Sequence, residues 1–293
     1  MISSFPARLA YGMISLSIFF KVQQETGSIA AAGLATGING VAGATTAGLR
    51  GSLIDKYGMK VPLRFFAPTY ALLILLFSSG TSKTQLIVFA GILGLSAPPI
   101  NLSIRPLWKV TVTREQIRTA YAIDTAVMNS VGVFGPLLAT TLSLSKTPEL
   151  ALQICSGLIC IGGLALSKSP QLKRWKPEPK TSTDLAVWRT PAMQLLMIEG
   201  AFIGLGWGAF DIAIPAFTTL ENIPHRTGFI FAIMAIGNVI GGLVAGMVSR
   251  KTSSFAAFKR IYFYWFIFSL PLAFTYPNWS MMLVTAIMSL MAG

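Results

Sequence analysis

Long apolar runs alternate with short polar connections along the whole chain. A membrane-spanning helix needs about 20 mostly apolar residues. Ten segments approach or reach that length: 8–25, 28–50, 62–80, 84–106, 119–143, 149–167, 192–215, 226–249, 259–276 and 279–293. The last has 15 residues and ends inside its apolar run. One longer polar stretch, "KSPQLKRWKPEPKTSTDLAVWR" (168–189), divides six segments from four. Its Pro, Lys and Ser/Thr content predicts a linker, with a short surface helix around Asp184–Trp188. The expected organisation is an N-terminal six-helix bundle over 1–167, a linker over 168–190 and helices 7–10 over 191–293. On this reading the second bundle lacks its last two helices.

Composition agrees with a polytopic membrane protein. Of the 293 residues, 53% are hydrophobic and 11% charged, and mean hydropathy is +0.66. Soluble domains carry about 25% charged residues. The net charge of +13 does not point to nucleic acid, because the basic residues occupy short gaps between apolar runs. They serve orientation instead. With the N-terminus inside, 19 of the 23 Lys and Arg fall at inner connections or inner helix ends, leaving Lys21, Lys83, Lys146 and Arg226 outside. Cys155 and Cys160, five residues apart on one expected helix, predict neither a disulfide nor a metal site. No catalytic motif, cofactor fingerprint or metal-ligand spacing is present, so an enzyme is not expected.

Polar residues inside spans are the candidate chemistry, because a carboxylate in hydrocarbon costs several kcal/mol. Glu199 and Asp211 share segment 7. Twelve positions separate them, about 18 Å along a helix and roughly 120° around it, so they cannot act as a local pair. Each is a candidate for proton or substrate handling. The alternatives are a structural hydrogen bond for Glu199 and solvation at a helix end for Asp211. Asn39 and Asn129 fit either a cavity lining or an interhelical hydrogen bond. Trp207 fits an apolar-substrate pocket or simple packing. Small residues at 33, 37, 40, 44 and 48 predict close helix packing in segment 2.

A dense charge cluster interrupts this pattern at "GLRGSLIDKYGMKVPLR" (48–64). A weak echo lies 191 residues downstream: Gly51 falls on Gly242 and Lys60 on Lys251, with Ala44 on Ala235 further up the helix. Parallel six-helix repeats joined by an inner linker are one transporter architecture.

"GSLIDKYGMKVPL" (51–63) resembles the loop 2–3 motif of the major facilitator superfamily at Gly51, Leu53, Asp55, Lys56, Gly58, Lys60 and Leu63. It departs from that motif at Ile54 and Met59. "SVGVFGPLLA" (130–139) is similar to the Gly-Pro motif of the family's antiporters through Gly132, Gly135 and Pro136, but lacks its downstream Gly-Gly. The resemblance implies an all-α polytopic fold of two pseudo-symmetric six-helix bundles, the second incomplete, working by alternating access as a monomer. It implies that Asp55 locks the outward-open state, while Gly51 and Gly58 frame the turn. Arg105, Arg118 and Asp124 then complete an inner gate network with Asp55. The expected activity is proton-coupled efflux of small amphipathic compounds across the cell (inner or plasma) membrane. The alternatives are nutrient uptake or a non-transporting sensor on the same fold. The expected partners are a small-molecule substrate, protons and the lipid bilayer.

Overall fold

The computed structural model describes residues 2–147, 149–175, 189–247, 254–271 and 279–292. It is all-helical over these residues: α1 (Phe5–Thr26), α2 (Ile29–Tyr57), α3 (Lys60–Ser78), α4 (Lys83–Ser96), α5 (Ile100–Thr111), α6 (Ile117–Ser143), α7 (Leu150–Ser167), α8 (Gln171–Arg174), α9 (Pro191–Leu220), α10 (Thr227–Met247), α11 (Ser254–Ser269) and α12 (Trp279–Ala292). Among the described residues, six helices are long and apolar enough to cross a membrane by length and composition. Over their described residues, all ten expected spans fall on helices. The expected surface helix around Asp184–Trp188 lies outside the described residues, as do residues 248–251 of the downstream echo.

Two boundaries differ from the hydrophobic pattern. First, α2 runs on to Tyr57, so most of the charge cluster is helical and the connection to α3 is only Gly58 and Met59. Gly58 has φ +73°, a conformation that favours glycine and lets the chain reverse within two residues. Second, the fourth expected span (84–106) is two helices, α4 and α5, broken at Ala97, Pro98 and Pro99.

The break follows from the two prolines, which have no N–H and so leave the carbonyls of Gly94 and Leu95 without their i+4 donors. Neighbouring helices supply replacements. The Thr46 hydroxyl donates to Leu95 O at 3.4 Å, and the Tyr11 hydroxyl to Pro98 O at 2.5 Å. Arg50 donates from Nη1 to Ala97 O at 2.7 Å, from Nε to Thr46 O at 3.3 Å, and from Nη2 to Gly43 O. The Arg50 guanidinium is thereby held between two carbonyls of α2 and the Ala97 carbonyl at the negative end of the α4 dipole. Arg50 is 9% exposed.

α1 runs through the centre of the first part of the chain. Its residues join a core with α2, α3, α4, α6 and α7, built on Met13, Phe19, Phe20, Tyr70 and Phe77. Glycine sets the closest approaches: a Cβ on Gly135 of α6 would lie 2.8 Å from the carbonyl carbon and oxygen of Gly12 in α1. Ion pairs fasten both ends of α1. Arg8 Nη1 meets Asp124 Oδ1 of α6 at 2.7 Å in a fully buried pair. At the other end Lys21 Nζ meets Glu25 at 2.6 Å and Glu149 at 3.1 Å. The Glu149 carboxyl is held below the usual range, by its own backbone amide first and the Lys21 ammonium second. A separate core joins α9, α10 and α12 through Ile214, Ile230, Met234, Met281 and Met288, with Trp265 of α11 packed against it.

Two stability measurements in detergent check this packing. Gly135→Ala places a methyl against backbone that cannot yield and should destabilise by about 1–3 kcal/mol, whereas Gly157→Ala, with open space around its Cβ, should be neutral or stabilising by up to about 1 kcal/mol. Equal effects would contradict the packing described. Arg50→Gln should cost about 1–3 kcal/mol for the acceptors it strands. An unchanged unfolding midpoint would show that the break needs no cap from α2.

Candidate functional site

α6 and α10 run antiparallel, and their separation changes along their length. Near the start of α10, Gly228 lies against α6: a Cβ there would be 2.8 Å from Pro136 O, 2.9 Å from Leu137 Cα and 3.0 Å from Thr140 Oγ1. Further along, a Cβ on Gly132 would sit 3.4 Å from Ala235 Cβ. Beyond that level the helices part around a cavity of about 880 Å³. Thr125, Asn129 and Ser130 of α6, Trp207 of α9, and Asn238 and Gly242 of α10 line it. It opens toward the end of the molecule where α2 turns into α3, the end that also holds Arg8 and Asp124. Among the described residues, no Lys, Arg, Asp or Glu belongs to its lining.

The residues expected to carry function fall into separate places. Asn129 and Trp207 line the cavity. Trp207 also stacks on Trp265 at 5.9 Å and 29° and lies 6.4 Å from the Phe210 ring. Asn39 instead donates from Nδ2 to Ala90 O at 3.0 Å, tying α2 to α4. Glu199 accepts a 2.8 Å hydrogen bond from the Tyr262 hydroxyl of α11. Asp211 is half-buried on α9. Neither carboxylate is part of the cavity lining.

The inner charges are also dispersed. Asp124 is buried against Arg8, while Arg118 and Asp55 are exposed. Asp55 makes no ion pair among the described residues, and the Arg105 side chain lies outside them. Lys56 sits over the Tyr57 ring at 5.2 Å, and Lys60 is half-buried. Gly51 meets open space among the described residues. The small-residue face of α2 meets α9 only at its start, where a Cβ on Gly33 would lie 3.0 Å from Ile212. Toward Gly40, Gly48 and Gly51 nothing among the described residues approaches within 4 Å.

Reading the sequence missed Arg8, Tyr11, Arg50 and Asn238. Arg8 and Arg50 had been counted only as orientation charges. The Pro98–Pro99 pair inside an expected span was a signal that side chains must cap a break. Asn238 was detectable as an amide in the eighth span. Among the described residues no group of His, Cys, Asp or Glu could hold a metal ion.

Comparison with known proteins places this arrangement. The chain is 27% identical over 270 residues to an uncharacterized MFS-type transporter, y4rN, of Sinorhizobium fredii (strain NBRC 101917 / NGR234), covering 82% of this chain and 63% of that protein. It therefore spans less than two thirds of that relative's length. Its fold is similar to the crystal structure of the nucleoside transporter NupG, with a TM-score of 0.66 and 15% identity, over 99% of this chain and 77% of that one. It is also similar to a bacterial homolog of the human lysosomal transporter Spinster in an inward-facing, unoccupied conformation, with a TM-score of 0.54 and 14% identity, over 98% and 72%. The profile of the Major Facilitator Superfamily matches residues 1–293, and with its all-helical polytopic fold this chain belongs to that superfamily.

Proposed function

We propose that the protein is a secondary active transporter that works by alternating access and exports small amphipathic compounds in exchange for protons. The observation that carries this reading is the asymmetric packing of α6 against α10. Small residues close one end, and an 880 Å³ cavity opens at the other. A state closed at one end and open at the other is half of an alternating-access cycle. Residues 1–167 and 191–293 are the two moving parts, with 168–190 linking them. The Lys and Arg distribution supports an orientation with the open end, the N-terminus and residues 51–64 on the cytoplasmic side, in the inner or plasma membrane of the cell.

The proposed roles follow from these placements. Gly132, Gly135 and Pro136 sit where α6 meets α10 and α1, so the antiporter-like motif belongs to the closed end. Exposed Asp55 is free, in this state, to dock when the inner ends of the helices come together. With Gly51, Lys56, Gly58 and Lys60 it forms the gate; Arg118 and Asp124 extend it, with Arg105. Glu199 and Asp211 are candidates for the proton path, and Asn39 steadies the α2–α4 pair that must move as one. The protein acts as a monomer and as a carrier rather than an enzyme. A second reading, uptake of a neutral nutrient, draws support from the uncharged polar groups of Thr125, Asn129, Ser130 and Asn238 in the lining and from the fold shared with a nucleoside transporter.

Proteoliposomes with an imposed pH gradient separate the two. Export predicts gradient-driven movement of an amphipathic dye against its concentration gradient. Movement of nucleosides or sugars alone would replace efflux with uptake, and no gradient-driven flux of any solute would defeat the transporter reading. Asp55→Asn should lower flux by about tenfold, equivalent to ~1.4 kcal/mol, while leaving the unfolding midpoint unchanged because Asp55 is exposed here. Full flux in that variant would remove Asp55 from the gate.

A further inference from the structure

Asn129 and Asn238 are placed as a pair by the register of α6 and α10. Each lies three residues from the Gly132–Ala235 contact, toward the open end, on antiparallel helices. They therefore occupy one level, the first at which the helices part. Both line the cavity. The Asn238 Oδ1 is closed off from solvent and has no hydrogen-bond partner among the described residues. The Asn129 side chain is half-buried and makes no hydrogen bond among them either. Asn39, by contrast, is satisfied by Ala90 O. A buried amide left unpaired is unfavourable, and rotation about its terminal torsion presents its N–H and C=O to the cavity instead.

On the reading of this cavity as the transport site, we infer that Asn129 and Asn238 form its recognition point, selecting flat, uncharged solutes that carry adjacent hydrogen-bond donor and acceptor groups, as in an amide or lactam. Two amides facing one level satisfy such an edge from both sides. Trp207, fixed by its stack on Trp265, offers the flat apolar surface for the rest of the solute. Among the described residues the lining has no charged residue to compensate an ion stripped of water.

Equilibrium dialysis of the full chain in detergent, corrected with empty micelles, tests this using three solutes of one ring size. These are the neutral lactam 2-quinolone, the cation N-methylquinolinium and the anion quinoline-2-carboxylate. The lactam should bind, and both ions should bind at least about tenfold more weakly. Asn129→Leu and Asn238→Leu should each weaken 2-quinolone binding by about tenfold. Asn238→Asp should shift preference toward N-methylquinolinium, which keeps the test decisive if a Leu variant does not fold. Ions bound as tightly as the lactam, folded Leu variants that keep wild-type affinity, or no binding of any of the three would each overturn the inference. If gradient-driven flux persists while these results fail, selectivity by the amide pair is wrong and transport stands. If nothing moves under the gradient, the transport reading itself falls.

Discussion

Hydrocarbon offers no hydrogen bonds to a broken helix, and that constraint organises the first half of this molecule. Pro98 and Pro99 end α4 within what would otherwise be a single span, and the exposed carbonyls must find donors inside the protein. Tyr11, Thr46 and Arg50 provide them. One consequence is mechanical: α1, α2 and α4 are tied together at the level of the break. Another is electrostatic, because a buried guanidinium needs compensation and finds it in the carbonyls of Gly43, Thr46 and Ala97. The charge that opens the polar cluster is thus part of the helix scaffold.

The remaining charges of that cluster behave differently. Asp55, Lys56 and Arg64 are exposed, at the end where Gly48 and Gly51 of α2 meet nothing among the described residues. Small residues carry a helix interface by close approach in this environment. Where they are in contact, as at Gly12–Gly135 and Gly228–Pro136, the packing leaves no room for a methyl group. Where they are not, at Gly40, Gly48 and Gly51, the same residue type meets open space among the described residues. One set of surfaces is engaged and another is vacant, which is the geometric basis for proposing a second state.

The alternation of apolar runs and short polar gaps carried the fold class, because hydrocarbon thickness fixes span length so tightly. Over their described residues, the ten expected spans fall on helices. Periodicity could not place the break at residues 97–99, since both halves are apolar and only the proline pair marks it. It also ended the second span at residue 50, because charge marks the membrane boundary rather than the helix boundary, and α2 continues to Tyr57. The site was legible only in parts. Asn129 and Trp207 were found as polar and aromatic residues within spans. Asn238 and Arg8 acquire meaning only from the antiparallel register of α6 with α10 and the parallel register of α1 with α6. Those pairings are tertiary and leave no trace in local pattern. The two carboxylates of α9 drew notice because they are costly in hydrocarbon, yet the cavity lining does not include them.

The central claim is that α6 and α10 separate at one end and close there in another state. Spin labels on Ala122→Cys and Leu243→Cys, with Cys155 and Cys160 replaced by Ser, flank the mouth of the cavity. Distances between them, measured in lipid nanodiscs with and without a transported solute, test the claim directly. The account predicts two distance populations whose ratio shifts toward the shorter on adding solute or changing pH. A single distance, unchanged under every condition, would contradict it.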